Sequence, residues 1–284
     1  MKFASYRKHG RPVFGLVRMD GLVTLSGKIP NIETLRGAIE ADALVQLGEI
    51  GKSLPADESI DGASYLPIIP DPSKILCAGA NYREHAAESG KSEKAWPGFF
   101  IRIPDSLVGH QVPLEAPASS IQFDYEGEVA AIIGKPARNI TEAQALDHVV
   151  GYTILMDGSV RDFQKRCISA GKNFQNSGSS GPFMLTADEV PDPVKLTVTT
   201  WLNDQQVQHA GLDLLIHSIP KTIAYLSTIV QLRPGDIVST GSPAGVGHAR
   251  NPPLWMKAGD RLSVEVSGIG RLSNPIVAGP PLPA

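Results

Sequence analysis

The sequence contains few cysteines and no long apolar run. Only two of its 284 residues are cysteine, Cys77 and Cys167, and they lie far apart and outside any metal-ligand spacing. A disulfide framework is therefore not expected, and both thiols are predicted to be reduced. No apolar stretch is long enough to cross a bilayer, and the N-terminus carries no positive-then-apolar leader. We therefore expect a cytoplasmic protein that does not associate with a membrane.

A concentration of charge of one sign is also missing. The net charge is −3, and the lysine and arginine residues are scattered along the chain. Nucleic-acid binding and binding to a membrane surface are not expected, because both need a basic stripe or a polybasic segment. A small anionic metabolite is the better partner. The hydrophobic fraction of 42% is enough for one large core, with or without a small companion domain.

Turn signals near the N-terminus indicate a small first domain. Residues 2–25 have the pattern of short strands in a meander, and Asn31 is predicted to cap a helix. A stretch rich in Ser, Asp, Gly and Pro over residues 51–72 is typical of a linker. We therefore predict a small N-terminal α/β domain over residues 1–70 and a catalytic domain over residues 71–284.

The rest of the chain alternates β-rich segments with a few capped helices. Thr141 and Gln144 form a capping-box pattern, which predicts a helix reaching Val149, and Ser218 is predicted to cap another helix. Residues 261–266 alternate strictly between apolar and polar, as in a strand. No internal repeat is found. These patterns predict a β-dominated α+β fold.

Two glutamates stand one residue apart in the run Asp124-Tyr125-Glu126-Gly127-Glu128. On a strand they would share a face, because side chains alternate with period two, and that face continues as apolar residues. Two like charges in a site with little water repel each other, and a bound divalent cation usually offsets this repulsion. The alternative is an exposed strand end with two solvated glutamates, and the pattern alone does not decide between them.

A third acid follows the apolar, strand-like run over residues 149–156. Asp157 would complete a set of three hard oxygen ligands with Glu126 and Glu128. Such a set suits Mg²⁺, Mn²⁺ or Ca²⁺ better than zinc, which prefers histidine and cysteine. Taken alone, Asp157 is more simply explained by a turn or a helix cap.

Three further features have both a functional and an ordinary explanation. His85 and Glu88 would share one face of a helix, where the carboxylate could orient the imidazole as a general base, although this spacing is common on solvated helices. Lys172 lies among small and aromatic residues and could face an oxyanion, although most lysines are on the surface. The glycine-rich residues 240–247 could approach an anion, but tight turns explain many such loops, and no P-loop signature follows.

Taken together, these segments resemble the fumarylacetoacetate hydrolase family. The resemblance runs in order from residue 74 to residue 274, over most of the chain. The matching segments are residues 79–82 with His85 and Glu88, 106–109, 124–128, 151–153, Asp157, Ser159, 161–162, Gln164, 171–172, 234–236, 240–241, 243–247 and 268–272. So many ordered agreements are not expected by chance.

The resemblance implies a catalytic domain of rolled, mixed sheets that is usually dimeric. It implies that Mg²⁺ or a similar ion is held by three carboxylates, that a dyad on a lid activates water, and that other side chains line the substrate. The implied metal ligands are Glu126, Glu128 and Asp157; the implied catalytic residues are His85, Glu88 and Lys172; and the predicted substrate contacts are Gln164, Thr240, Tyr152 and Arg102.

The resemblance predicts cleavage of a carbon–carbon bond in an acylpyruvate or related diketo acid through a metal-bound enolate. The alternatives are an oxaloacetate-type decarboxylase or a keto–enol isomerase or hydratase of the same family, and, more remotely, a metal- or ligand-binding module without activity. The chain departs from the family pattern at Arg102, where a lysine is frequent, at Gly158, where a valine is more usual, and at Gly211 and Leu212, which replace two polar residues. These departures leave the substrate's acyl group undetermined.

Overall fold

The computed structural model describes residues 1–90 and 92–283. The strands are β1 (Lys2–Lys8), β2 (Arg11–Arg18), β3 (Gly21–Thr24), β4 (Ser64–Tyr65), β5 (Ile75–Ala78), β6 (Phe99–Arg102), β7 (Leu107–Val108), β8 (Leu114–Ala116), β9 (Phe123–Asp124), β10 (Gly127–Ile133), β11 (Val149–Met156), β12 (Ser159–Val160), β13 (Gly178–Thr186), β14 (Thr197–Leu202), β15 (Gln205–Gly211), β16 (Ile237–Ser239), β17 (Arg261–Val266) and β18 (Gly270–Ala278).

The helices are shorter and fewer than the strands. The α-helices are α1 (Leu35–Glu40), α2 (Leu44–Ser53), α3 (Arg83–Glu88), α4 (Glu142–Ala145), α5 (Arg161–Gln164), α6 (Ile168–Lys172) and α7 (Ile219–Ile229). Short 3-10 turns are formed by Pro104–Ser106, Leu146–His148, Ala187–Glu189, Pro193–Lys195, Leu212–Leu214 and Gly247–Ala249. Among the helices described, none is both long and apolar enough to span a bilayer.

Two mixed sheets make up most of the molecule, as the β-dominated α+β prediction requires. The larger has eleven strands along the path β3-β2-β1-β13-β11-β10-β16-β5-β6, with β4 and β7 attached at β1 and β13. The smaller has five, in the order β15-β14-β17-β18-β8, and β9 pairs separately with β12. Most neighbours are antiparallel, but β16 pairs with β5, β13 with β7 and β18 with β8 in parallel.

The main hydrophobic core lies between the two sheets. Alternate residues of β10, such as Val129 and Ala131, pack there with Val198 and Val264 of the smaller sheet. The sheets approach closely at Gly127, where a Cβ atom would lie 2.1 Å from Oγ1 of Thr200. Glycine is therefore required at the first position of β10. This close contact fixes the end of β10 at which the acidic residues stand.

The N-terminal segment continues the large sheet. β1 pairs antiparallel with β13, with Lys2 opposite Leu185 and Phe3 opposite Met184. Side chains from β1 to α2 share a second hydrophobic cluster with Ala130 and Leu155 of the central strands. The division at residue 70 stays a prediction about domains, but the sheet itself runs across it.

Local sequence signals identified some elements correctly and misplaced others. Ser218 caps α7 by accepting a hydrogen bond from the backbone N–H of Lys221, as predicted. The capping box at Thr141 is present, but α4 ends at Ala145, and Val149 begins β11 because it pairs with the end of β10. Asn31 was the wrong cap: its φ is 65°, and Thr34 caps α1 instead. Both cysteines, which lie in the described part of the chain, are free thiols, as predicted.

Candidate active site

The acidic residues selected from the sequence line one cavity of about 300 Å³. β10 and β11 are antiparallel neighbours, with Glu128 opposite Leu155. The start of β10 and the end of β11 therefore lie at the same edge of the sheet, which brings Glu128 and Asp157 together. Glu126, Glu128 and Asp157 are each at most 4% exposed and line this cavity together with His85 and Lys172.

The strand expected over residues 124–133 is interrupted. β9 ends at Asp124 and β10 begins at Gly127, so Glu126 lies in the link between them. The backbone carbonyl of Glu126 accepts a hydrogen bond from the N–H of Asp157 at 2.8 Å, which fixes the link to the end of β11. Both glutamates reach the cavity, although only Glu128 does so from a regular strand.

Two of the three carboxylates are paired with cations. Asp157 accepts a hydrogen bond from Nη1 of Arg102 at 2.6 Å, and Glu126 accepts one from Nη2 of Arg161 at 3.0 Å. The ammonium of Lys172 contacts both carboxylates. Burial alone would raise the pKa of Glu126, but Arg161 and Lys172 outweigh it and hold that pKa well below the usual value.

Glu128 differs from the other two acids. Its carboxylate accepts hydrogen bonds from Oγ of Ser239 and from the N–H of Gly241, and within the described residues it forms no ion pair. Burial and the charges of Asp157 and Glu126 raise its pKa well above the usual value. A buried carboxylate in this position lacks a counter-charge that a bound cation would supply.

The three carboxylates fit a divalent ion by their chemistry. In residues 1–90 and 92–283, however, no three His, Cys, Asp or Glu side chains are arranged to hold a metal ion. The ammonium of Lys172 contacts oxygens of both Glu126 and Asp157. The donor set consists of carboxylate oxygens, which suit Mg²⁺, Mn²⁺ or Ca²⁺. Glu128 also has no cationic partner among the described residues, so the three acids suit a divalent ion by their chemistry, and the ligand assignment stays a prediction.

His85 and Glu88 form a hydrogen-bonded pair at the cavity wall. Both belong to α3, and Nδ1 of His85 lies 2.8 Å from Oε1 of Glu88. Glu88 is held in turn by the backbone N–H of Gly245 at 3.0 Å. The other ring nitrogen, Nε2, faces the acidic cluster and lies 3.4 Å from Oε1 of Glu126. Burial would lower the pKa of His85, but hydrogen bonds with Glu126 and Glu88 outweigh it and raise that pKa.

Lys172 is delivered to the cavity by the close packing of α5 against α6. A Cβ atom on Gly171 would lie 2.5 Å from the backbone of Gln164, so glycine allows the two short helices to touch. Lys172 is 2% exposed, and its ammonium lies 4.8 Å from the centre of the Phe100 ring. Burial would lower the pKa of Lys172, but Asp157 and Glu126 outweigh it and raise that pKa, so the side chain is a fixed cation.

Comparison with known proteins places this geometry in a family. Residues 74–277 match the family described as fumarylacetoacetate (FAA) hydrolase, C-terminal. This chain belongs to the fumarylacetoacetate hydrolase family. It is 35% identical to the oxaloacetate tautomerase YisK of Bacillus subtilis over 97% of this chain and 100% of that protein. It is 38% identical to the mitochondrial oxaloacetate tautomerase fahd2 of Xenopus laevis over 75% of this chain and 68% of that protein.

Solved structures of the family share the fold. The fumarylacetoacetate hydrolase of Exiguobacterium antarcticum superposes with a TM-score of 0.82 at 30% identity, covering 98% of this chain and all of that one. The maleylpyruvate hydrolase of Sphingobium sp. SYK-6, solved with manganese(II) and pyruvate, gives a TM-score of 0.82 at 28% identity, covering 99% and 100%. The family therefore includes enzymes that act on small keto acids, and at least one binds a divalent metal.

Two of the predicted substrate contacts, Tyr152 and Arg102, do not line the cavity. Tyr152 is on β11 but 2% exposed in the main core, because it is five residues before Asp157, on the opposite face of the strand. Arg102 is 1% exposed and lies beneath Asp157, so it positions that carboxylate and does not line the cavity. Neither side chain lines the cavity, so both assignments to the substrate are corrected.

Of the other two predicted contacts, one lines the cavity and the other does not. Gln164 lines the cavity, and its side chain accepts a hydrogen bond from Nη1 of Arg161 at 2.9 Å. Thr240 stands next to the site, but it is not among the lining residues, and its hydroxyl donates to the carbonyl of Val129 at 2.9 Å. Its role is therefore to close the junction between β16 and the glycine-rich loop.

Ser242 and His248 are among the lining residues that were not selected from the sequence. Ser242 is 2% exposed, and its hydroxyl has no hydrogen-bond partner within the described residues. His248 also lines the cavity, with Nδ1 lying 3.3 Å from Oδ2 of Asp124. The only available signal was their place within or directly after the glycine-rich loop, because the partner of His248 is 124 positions away in sequence.

Proposed function

We propose that this protein is a divalent-metal-dependent hydrolase that cleaves a carbon–carbon bond in an acylpyruvate. The observation that carries the proposal is the placement of His85, which has Glu88 on one ring nitrogen and the acidic cluster on the other. Glu126, Glu128 and Asp157 would hold the ion. When bound, such an ion supplies Lewis acidity toward the oxygens of a 2-oxo acid.

The protein side chains supply the proton transfers and the remaining charge. Nε2 of His85 takes a proton from water, and Glu88 stabilises the imidazolium that results. The hydroxide adds to the distal carbonyl carbon, the carbon–carbon bond breaks, and its electron pair passes to the pyruvate fragment as an enolate. The ammonium of Lys172, fixed and buried, offsets the negative charge on that fragment. The imidazolium of His85 returns its proton to the enolate, which gives pyruvate, and the other product is a carboxylic acid.

The second candidate is tautomerisation of oxaloacetate. It is favoured by the two relatives named oxaloacetate tautomerase, at 35% and 38% identity. In this reaction His85 would move a proton between carbon and oxygen of the bound acid, with no attack by water. The same acidic cluster and Lys172 would stabilise the enolate form. The two candidates differ in whether water attacks and the carbon–carbon bond breaks.

An assay on both substrates separates the candidates. The protein would be given acetylpyruvate or oxaloacetate with Mn²⁺ and then with EDTA, and pyruvate, acetate, CO₂ and the keto–enol ratio would be followed. We expect pyruvate and acetate from acetylpyruvate, and their loss with EDTA. His85→Ala should lower turnover by about 10² to 10⁴, whereas His209→Ala, an exposed histidine outside this cavity, should not.

Each outcome has a distinct meaning. Enolisation of oxaloacetate without acetylpyruvate cleavage would replace the first candidate by the second. Near-wild-type cleavage by His85→Ala would exclude the proposed dyad. Inactivity of the wild-type protein toward both acids, with and without Mn²⁺, would refute both candidates.

A further inference from the structure

A second cavity of about 210 Å³ adjoins the catalytic one. We call it the side cavity. The two cavities share part of their walls, namely Gly79, Ala80, Phe100 and Ile168. Because the walls are shared, a molecule bound at the acidic cluster can extend into the side cavity without crossing a strand or a helix.

The walls of the side cavity are mostly apolar and partly aromatic. They are formed by Trp96, Phe99, Phe100, Ile168 and Ile216, and they include no acidic side chain among the lining residues described. Trp96 is 62% exposed and Ile168 is 45% exposed, so large apolar groups stand open at the mouth. Contiguous exposed apolar surface of this kind is typical of a binding site.

The polar groups of the side cavity add little charge. His217 is 6% exposed, and its backbone is fixed by hydrogen bonds in both directions with the side chain of Asn81, at 2.9 Å each. Burial and nearby Lys221 lower the pKa of His217, so its ring is neutral at pH 7. Lys94 is a cation among the lining residues, but it is exposed, so its ammonium stays hydrated when an apolar group fills the cavity. A neutral apolar group therefore suits these walls better than a second carboxylate.

Phe100 connects the side cavity to the chemistry. It is 8% exposed, lines both cavities, and turns one face toward the ammonium of Lys172, 4.8 Å from the ring centre. A substrate whose reacting oxygens lie near Lys172 would pass over Phe100 and Ile168. Its far end would then meet Trp96 and Ile216.

We propose that the side cavity binds the distal acyl arm of the substrate, and that this arm is apolar and of about the size of an aromatic ring. The inference rests on the proposed function, since it names the class of acylpyruvate that the same site accepts. A phenyl-bearing acylpyruvate is then a better substrate than acetylpyruvate, whose methyl group leaves the side cavity unfilled.

The test compares benzoylpyruvate, acetylpyruvate and fumarylpyruvate as substrates of the Mn²⁺-loaded protein. We expect kcat/KM for benzoylpyruvate to exceed that for acetylpyruvate by about tenfold or more, because a single well-placed methylene is already worth about 10- to 200-fold. Trp96→Ala should reduce this ratio several-fold, because it removes the indole that the far end of the apolar arm contacts. Ile229→Ala, which changes an exposed isoleucine at the end of α7 outside both cavities, should leave the ratio unchanged.

Failure of the inference and failure of the proposed function give different results. Cleavage of acetylpyruvate without a preference for benzoylpyruvate, or a preference for the anionic arm of fumarylpyruvate, would overturn the inference and leave the function standing. If no acid is cleaved, isothermal titration calorimetry decides the inference. Tighter binding of benzoylpyruvate than of acetylpyruvate, lost in Trp96→Ala, would support the side cavity, and equal binding would overturn it.

Discussion

Replacing Arg102 by methionine should destabilise the fold strongly, because its guanidinium is the buried support of Asp157. Arg102 is 1% exposed and donates to Oδ1 of Asp157 at 2.6 Å. It also donates to the carbonyl of Gly158 at 3.0 Å and to the hydroxyls of Ser106 and Ser177 at 3.1 and 3.0 Å. Methionine has a similar length but donates none of these hydrogen bonds.

The expected loss follows from the partners that remain. Removing one member of a buried ion pair typically costs about 3–5 kcal/mol, because the other charge stays in a medium of low dielectric constant. Asp157 keeps Lys172 as a second cation, so the lower part of that range, about 3–4 kcal/mol, is expected. In a chain of this size such a loss lowers Tm by on the order of 10 °C.

Urea denaturation of the wild type, Arg102→Met and Arg138→Met measures the effect. Arg138 is exposed and donates to the neutral carbonyl of Ser227 at 2.7 Å, so its replacement should cost about 1 kcal/mol or less. Arg102→Lys should recover only part of the loss, since an ammonium cannot reproduce the guanidinium fork. If Arg102→Met were no less stable than Arg138→Met, the assignment of Arg102 as the support of Asp157 would be refuted.

Three further predictions concern metal binding, pH and backbone space. Mn²⁺ at 100 times its Kd should stabilise the wild type by about 2.7 kcal/mol, and Glu128→Gln should lose most of that gain in a thermal-shift assay; an unchanged response would exclude Glu128 as a ligand. Burial and Arg261 lower the pKa of His110 from 6.5 to about 4, so its contribution to stability is complete above pH 6.5 and is lost as the pH falls toward 4, where the unfolded chain binds the proton first. Allowing for solvent screening, His110→Asn should make the change in unfolding free energy between pH 6.5 and pH 4 smaller by about 1–2 kcal/mol. Urea titrations at several pH values measure this change, and an unaltered pH dependence would contradict the prediction. Gly158→Val should lower the free energy of unfolding by about 2–3 kcal/mol or more, because a Cβ there would lie 1.8 Å from the carbonyl oxygen of Ser177. Wild-type stability in the same titration would show that the backbone moves to make room.

The extent to which the site was predictable depended on how far apart in sequence its parts lie. Strand alternation selected Glu126 and Glu128, and both line the cavity even though the strand is broken between Asp124 and Gly127. The same alternation, applied to β11, would have placed Tyr152 on the opposite face from Asp157 and so in the core. That error came from following the family pattern where the local rule was the better guide.

Partners at long range could not be predicted from local patterns. The ion pair of Arg102 with Asp157 could not be predicted locally, because the two residues lie 55 positions apart. β10, β16 and β5 separate β6 from β11 along the sheet, but β7, which follows β6, pairs with β13, the neighbour of β11. Ser242 and His248 were missed for a similar reason: their place in or just after the glycine-rich loop was the only local signal, and the partner of His248 lies 124 positions away. Gly158, a departure from the family pattern, is explained by the carbonyl of Ser177, which leaves no room for a side chain.

The sequence by itself determined the elements that depend on neighbouring residues: the cap of α7 at Ser218, the alternating strand β17, the β-dominated fold, and the acids at the ends of their segments. Dihedral preferences, capping and side-chain alternation act over a few residues, so they can be recognised in the printed chain. Only the tertiary structure decided which charges pair, which side chains line the cavity, and that a second apolar cavity adjoins it. Those contacts join segments tens to more than a hundred residues apart, and their geometry is set by strand pairing across the whole sheet.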